Sequence, residues 1–195
     1  LFIFWKVNTM STLKVGTIQN HSNSATVATA ESAGFLKQTA LPAFQARGTD
    51  SSSKLDLTNN IWTDVPYNTL NSANDSDNKY GGFNIGSHYN LSNYRFQPTL
   101  AGKWWIYAKG YLTYSSDAPN TGFIRFWDGS NTQGNNYIRD AADGTYGTLD
   151  ISGVFNMSGN GSDYLKVQVR VTSSTDSDFY YGAYMGHFEG YYLGA

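Results

Sequence analysis

Side-chain chemistry needs acids, bases, nucleophiles or ligands that converge, and this chain has few candidates. His21, His88 and His187 are its only histidines and stand far apart along it. Zinc or triad chemistry would require them to meet carboxylates, and nothing in their spacing brings that about. The absence of Cys excludes disulfides, thiolate metal sites and Cys nucleophiles. Of the 15 acids only Glu31 and Glu189 are Glu, and no spacing singles out two Asp for glycoside hydrolysis. Asp75-Ser76-Asp77 and Asp176-Ser177-Asp178 could offer oxygen ligands to calcium, yet short acidic runs read first as solvated loop. His187 and Glu189, two apart on one strand face, read as an interface pair. No G-x-S-x-G, H-E-x-x-H or phosphate loop occurs. The expectation is a protein that is not an enzyme and has no metal or cofactor.

What the chain has in excess is aromatic. Aromatic residues make up 16% and Tyr alone numbers 15, while charged residues fall to 14%, against about 25% in an average soluble protein. Residues 94–114, YRFQPTLAGKWWIYAKGYLTY, concentrate this excess. Beyond a turn at 98–102 they alternate by two, as a strand does. Trp104, Ile106, Ala108, Gly110 and Leu112 form an apolar face suited to a sandwich core. Lys103, Trp105, Tyr107, Lys109 and Tyr111 form a second face, too apolar for free solvent and too charged for another core. Such a face suits a subunit contact, where Tyr and Trp are enriched.

The other elements follow from the same periodicity. Strands are expected at 42–47, 62–70 (demoted towards an edge by Pro66), 83–85 and 123–127, the last ending at the turn signal Asp128-Gly129. Leu149, Ile151, Phe155 and Met157 share one face. Ser158-Gly159-Asn160-Gly161 turns the chain into the cleanest strand, with Leu165, Val167, Val169 and Val171 inward and Lys166, Gln168 and Arg170 outward. Residues 180–193 read as one long strand, with Tyr180, Tyr184, Phe188 and Tyr192 on one face. So many short strands with turns between them predict an antiparallel two-sheet sandwich at 41–195.

Residues 1–40 differ. LFIFWKVNT, 1–9, precedes Met10 and reads as residue from an upstream frame, or else as an apolar anchor docking on a partner. The stretch 11–40 is rich in Ser, Thr and Ala, with a weak helix candidate at 30–37. A segment with so little apolar surface cannot build a core of its own, so it reads as a docking arm, with Leu13, Val15 and Ile18 as the residues that meet a particle. A net charge of −2 gives no electrostatic case for nucleic acid, and no run approaches the ~20 apolar residues of a membrane span.

In their order, PAFQA, WTDVPYNT, YRFQPTLAGKWWIYAKGYL, the LDISGVFNM–SGNGS–DYLKVQVRV hairpin and the closing HFEGYYLG resemble the tumour necrosis factor and complement globular-head superfamily. Pro98, Gly102, Phe188, Gly190 and Leu193 stand at the positions that carry the likeness. The resemblance implies a jelly roll of about ten strands that assembles as a homotrimer with aromatic residues along its axis. Trp105, Tyr107, Tyr111, Phe123, Trp127, Tyr180, Tyr184, Phe188 and Tyr192 are the candidates for that interface. MSTLKVGTIQNHSNSATVAT looks like the opening of tailed-phage virion proteins. Together these imply a structural protein of the virion, a capsid decoration or short spike whose partners are its own copies and a major capsid or other virion protein. The alternative is the receptor-binding head of a tail fibre, whose partner is host surface glycan.

Overall fold

The computed structural model describes the backbone of 17–19, 26–30, 36–38, 114, 138 and 146, and residues 41–50, 52–70, 81–113, 121–137, 147–172, 177–182 and 185–195. The chain divides into two units, Leu1–Leu41 and Pro42–Ala195. In the first, β1 (Thr17–Gln19), β2 (Thr26–Ala30) and β3 (Leu36–Gln38) form an antiparallel sheet in that order. At the ends of the helix candidate 30–37, Ala30 and then Leu36 and Lys37 are strand instead, and 31–35 lie outside the described residues. Thr26, Val27 and Thr29 are β-branched and favour extended backbone, and Leu36 pairs with Ala30 across the ladder.

The second unit contains β4 (Ala43–Ala46), β5 (Lys54–Leu57), β6 (Thr63–Asp64), β7 (Phe83–Ile85), β8 (Tyr89–Asn90), β9 (Arg95–Phe96) and β10 (Gly102–Tyr114). Then come β11 (Thr121–Trp127), β12 (Thr132–Ile138), β13 (Tyr146–Met157), β14 (Lys166–Thr172), β15 (Ser177–Tyr180) and β16 (His187–Gly194). No helix occurs among the described residues. The architecture is an all-β, antiparallel jelly-roll sandwich.

Its larger sheet has seven strands with β10 in the middle. β13 runs antiparallel along one side of β10, from Gly102↔Met157 to Thr113↔Tyr146. Two shorter strands share the other side, β16 against Lys103–Lys109 and β15 against Tyr111–Tyr114. β4 and then β7 extend the sheet beyond β16, and β5 extends it beyond β15. The smaller sheet has the order β12-β11-β14-β6. The β8–β9 hairpin joins its β14 side through a bridge from Phe96 to Leu165.

Alternation decides what fills the space between the sheets. Trp104, Ile106, Ala108 and Leu112 on β10 are fully buried, and so are Ile124 and Phe126 on β11 and Val167, Val169 and Val171 on β14. Phe126 reaches across to Phe188 with ring centroids 6.0 Å apart. Phe44 lies between Tyr89 and Phe96, stacked at 5.0 Å on each, with Phe188 edge-on at 5.1 Å. Buried aromatic pairs at these separations add to the stabilisation from area burial.

Two expected strands differ from what forms. In 62–70 only Thr63–Asp64 joins a ladder. Pro66 has no N–H to give, and the chain leaves the sheet after Val65 donates to the Val167 carbonyl at 3.0 Å. The long strand at 180–193 is two strands, β15 and β16, laid end to end along β10. Between them the chain turns at Gly182, whose carbonyl accepts from Met185 and Gly186 at 2.9 Å each. The turn reverses the parity of the faces, so Phe179 and Phe188 both point inward, where uninterrupted alternation would have set them on opposite sides.

Candidate assembly and binding faces

The histidines and acids do not form a catalytic set among the described residues. His88 is a core residue, 4.9 Å from the Trp104 ring, and its Nδ1 accepts from the Thr99 N–H at 3.4 Å. Burial lowers its pKa and keeps it neutral. His187 lies on the outer face of the seven-stranded sheet, its Nε2 3.6 Å from Glu189 Oε1. Asp178 is engaged by Lys54 Nζ at 2.8 Å, while His21, Asp75, Asp77 and Asp176 lie outside the described residues. No group of three metal-ligating side chains occurs among the described residues. A cleft of about 660 Å³ opens at one end of the sandwich beside Asp128 and Asp163. Both carboxylates serve the local chain: Asp128 Oδ1 accepts from the Ser130 and Asn131 N–H groups, and Asp163 Oδ2 from that of Ser158. These hydrogen bonds hold both acids below their ordinary pKa.

The outer face of the seven-stranded sheet is aromatic. Strand register places Val154, Trp105, Tyr191, Ala43 and Ile85 in one row across β13, β10, β16, β4 and β7. The neighbouring row is Ser152, Tyr107, Glu189, Gln45 and Phe83. Trp105 stacks on Tyr107 with centroids 5.8 Å apart and planes 4° from parallel, and meets Tyr191 at 5.9 Å. Phe83 continues the surface 6.1 Å from Tyr191. Val154 is 58% exposed, Ile85 43% and Tyr191 38%. Leu193, the extra residue of a bulge opposite Lys103 and Trp104, adds to the same end.

A polar cluster interrupts this surface. Gln45 Nε2 donates to Glu189 Oε2 at 2.6 Å and Arg47 Nη2 donates to Gln45 Oε1 at 2.9 Å. Burial pushes the Glu189 pKa up, but hydrogen bonds from His187 and Gln45 and the charges of His187 and Arg47 outweigh it and hold the carboxyl below its ordinary value. The carboxylate thus stays ionised while largely enclosed, and is fixed in one orientation.

The nine aromatic candidates separate into different places. Trp105, Tyr107, Tyr111 and Tyr180 share the outer face just described, the last two as a cross-strand pair. Phe123 and Trp127 lie on the outer face of the other sheet, on the opposite side of the sandwich from Trp105. Phe188 is fully buried within the chain's own core and has no surface to give a second copy. Tyr192 closes one end of the sandwich, 5.2 Å from Trp104, with its hydroxyl donating to the Ala101 carbonyl at 3.1 Å. Tyr184, Leu13 and Val15 lie outside the described residues. Ile18 is in β1, described there for its backbone alone.

Around Phe123 and Trp127 stands an arrangement that alternation within one strand did not reveal. Arg125 has its guanidinium carbon 4.0 Å from the Trp62 ring centroid and 4.2 Å from that of Trp127. Arg170 lies 4.5 Å from the Phe123 centroid and 5.0 Å from that of Trp62. Phe123 meets Trp62 at 6.3 Å and Tyr137 at 6.1 Å. The signal was present as F-x-R-x-W on one strand and K-x-Q-x-R on another. Only the register Phe123↔Arg170, Arg125↔Gln168 and Trp127↔Lys166 brings the two together.

Solved structures with this architecture include tumour necrosis factor-type jelly rolls. The Eiger TNF of S. frugiperda superposes with a TM-score of 0.52 at 10% identity, covering 80% of this chain and 94% of its own. Murine APRIL, solved at pH 5.0, gives 0.52 at 10% identity over 78% of this chain and 99% of its own. At such identity the likeness establishes the fold, a TNF-like jelly roll, and nothing further. No protein-family model and no curated protein matches the chain.

Proposed function

We propose that this protein is a structural component of a tailed-phage virion: a homotrimeric jelly-roll head, decorating the capsid or forming a short spike, attached through its N-terminal unit. The observation that carries the assembly is the row Val154, Trp105, Tyr191 and Ile85 on the seven-stranded sheet. Stacked aromatics beside exposed aliphatics are poor solvent surface and good interface core. A trimer is what the resemblance to the tumour necrosis factor superfamily implies, and this face offers the apolar surface that such an assembly would bury. The separate unit Leu1–Leu41 supports a division of labour in which the first unit binds the particle and the head self-associates. Three copies attached together bind far more tightly than one. No catalytic or cofactor role is part of this reading. Removing residues 1–40 tests it: the remaining head stays a folded trimer and no longer binds the particle, whereas undiminished particle binding refutes the role of the first unit.

A second reading is the receptor-binding head of a tail fibre that recognises host surface glycan. The ring and guanidinium stack of Trp62, Phe123, Arg125 and Arg170 favours it, because it lies on the sheet face opposite the proposed trimer contact.

A further inference from the structure

The outer face of the four-stranded sheet carries cations that its own acids do not neutralise. Register arranges it in three rows: Tyr137, Phe123 and Arg170; then Asn135, Arg125, Gln168 and Asp64; then Thr132, Trp127 and Lys166. Trp62, just before β6, lies between the first two rows and contacts both arginines.

The two arginines have different work. Arg125 is a pillar. Trp62 and Trp127 lie over it at 4.0 and 4.2 Å, its Nε and Nη2 donate to Gln168 Oε1 at 2.9 and 2.6 Å, and its Nη1 donates to Thr132 Oγ1 at 2.9 Å. Gln168 is itself held by donating to Asp64 Oδ1 at 2.6 Å, and the other oxygen of Asp64 takes Lys166. Asp64 is therefore fully engaged one row away from Arg170.

Arg170 has the Trp62 and Phe123 rings beside it but no side-chain hydrogen bond to another described residue. It makes no ion pair with any described carboxylate, and its Nε is buried without a hydrogen-bond acceptor. A partly buried cation that shares a tryptophan with a second cation is costly to maintain without an anion, and its two Nη groups, unlike the enclosed Nε, are open to one. Burial first, and then the charge of Arg170, lower the pKa of Arg125. Beside Arg170 the surface is flat and aromatic: Phe123 at 4.5 Å, then Tyr137, 62% exposed, 6.1 Å further on.

We propose that this face binds an acidic glycan, with the Arg170 guanidinium taking a sugar carboxylate and the Phe123 and Tyr137 rings receiving the apolar C–H faces of adjoining sugars. A guanidinium presents a planar fork that matches a carboxylate in two parallel hydrogen bonds. The rings orient the sugar while Trp62, itself stacked on Arg125, backs the Arg170 guanidinium. Single-stranded nucleic acid is the weaker match. Three cations and one Asp do not make a track for successive phosphates, and the whole chain carries −2. The inference rests on the glycan-binding reading and adds to it the site and the charge of the ligand.

The test uses the full chain on an array of oligosaccharides bearing glucuronate, galacturonate or sialate, alongside their neutral parents and an oligothymidine. Acid-bearing sugars bind, their neutral parents do not, and added salt weakens the binding. Calorimetry on the best of these ligands gives a loss of about tenfold or more for Arg170→Gln, as befits a charged hydrogen-bonded contact. Arg170→Lys keeps the charge without the fork and recovers only part of that loss. Tyr137→Ala, at an exposed position that the fold does not depend on, loses several-fold with an unchanged melting temperature. Neutral parents binding equally, or wild-type affinity in both Arg170→Gln and Tyr137→Ala, overturns this site and leaves glycan recognition standing elsewhere. Binding to no sugar at all removes both, and binding to the oligothymidine alone replaces glycan with nucleic acid.

Discussion

Gly190 decides how closely β16 approaches the core, and alanine there is the most direct probe of the packing behind the proposed assembly face. Its neighbours Glu189 and Tyr191 point outward, so position 190 points in. A Cβ added there would lie 2.5 Å from Phe44 Cε1 and 2.6 Å from Ile106 Cδ1. Neither can retreat, since both side chains are fully buried and Phe44 is stacked on Tyr89 and Phe96. Overpacking of this kind costs about 1–3 kcal/mol, offset by the roughly 0.5–1 kcal/mol that alanine gains over glycine in a strand. The net is a loss of about 0–2.5 kcal/mol, centred just above 1, which at that centre lowers the melting temperature by about 2–5 °C for a protein of this length. Thermal and urea unfolding followed by circular dichroism measure it, with the urea midpoint falling and its slope unchanged. A melting temperature equal to or above wild type would refute the packing described for β16. Because the methyl group faces inward, the oligomeric mass of the folded variant stays that of wild type.

Two further outcomes follow from buried polar groups. Tyr67→Phe removes the hydroxyl that donates to the Lys109 carbonyl at 2.9 Å, just where the β16 ladder along β10 ends. Stability falls by about 1–2 kcal/mol, as for an acceptor left without its donor, and an unchanged urea midpoint would show that the bond carries nothing. Glu189 has a folded pKa below its ordinary 4.5, so the stability it contributes is full above that ordinary value and is lost as pH falls through the folded one. The melting-temperature gap between wild type and Glu189→Gln therefore narrows as pH drops below about 4.5, and a gap constant from neutral to acid pH would contradict the assignment.

Much of the sandwich was legible because its central strands are half-buried. Trp104, Ile106, Ala108 and Leu112, and again Val167, Val169 and Val171, alternate with polar or aromatic partners, and period two is a local property. What failed was set by partners distant in sequence. Residues 132–138, TQGNNYI, have no apolar period, and their strand exists because β11 offers them a ladder. The strand Lys54–Leu57 sits in what reads as loop and is held by β15. The turn at Gly182 inverts the facing of everything before it, so Tyr180 and Phe188, of equal parity in sequence, end on opposite sides. Trp105 and Trp127, equally aromatic and outward, belong to opposite faces of the sandwich because β10 and β11 lie in different sheets. The stack of Arg125 and Arg170 needed the pairing of β11 with β14, which neither strand specifies alone.

Self-association through the seven-stranded sheet is the central claim, and the mass of the protein in solution tests it most directly. Sedimentation equilibrium of the full chain at micromolar concentration should give about three times the 21.5 kDa chain mass. The double variant Trp105→Ser, Tyr191→Ser should give a single chain mass with its circular dichroism spectrum intact. A wild-type monomer, or a trimer indifferent to both substitutions, would contradict the assignment of this face.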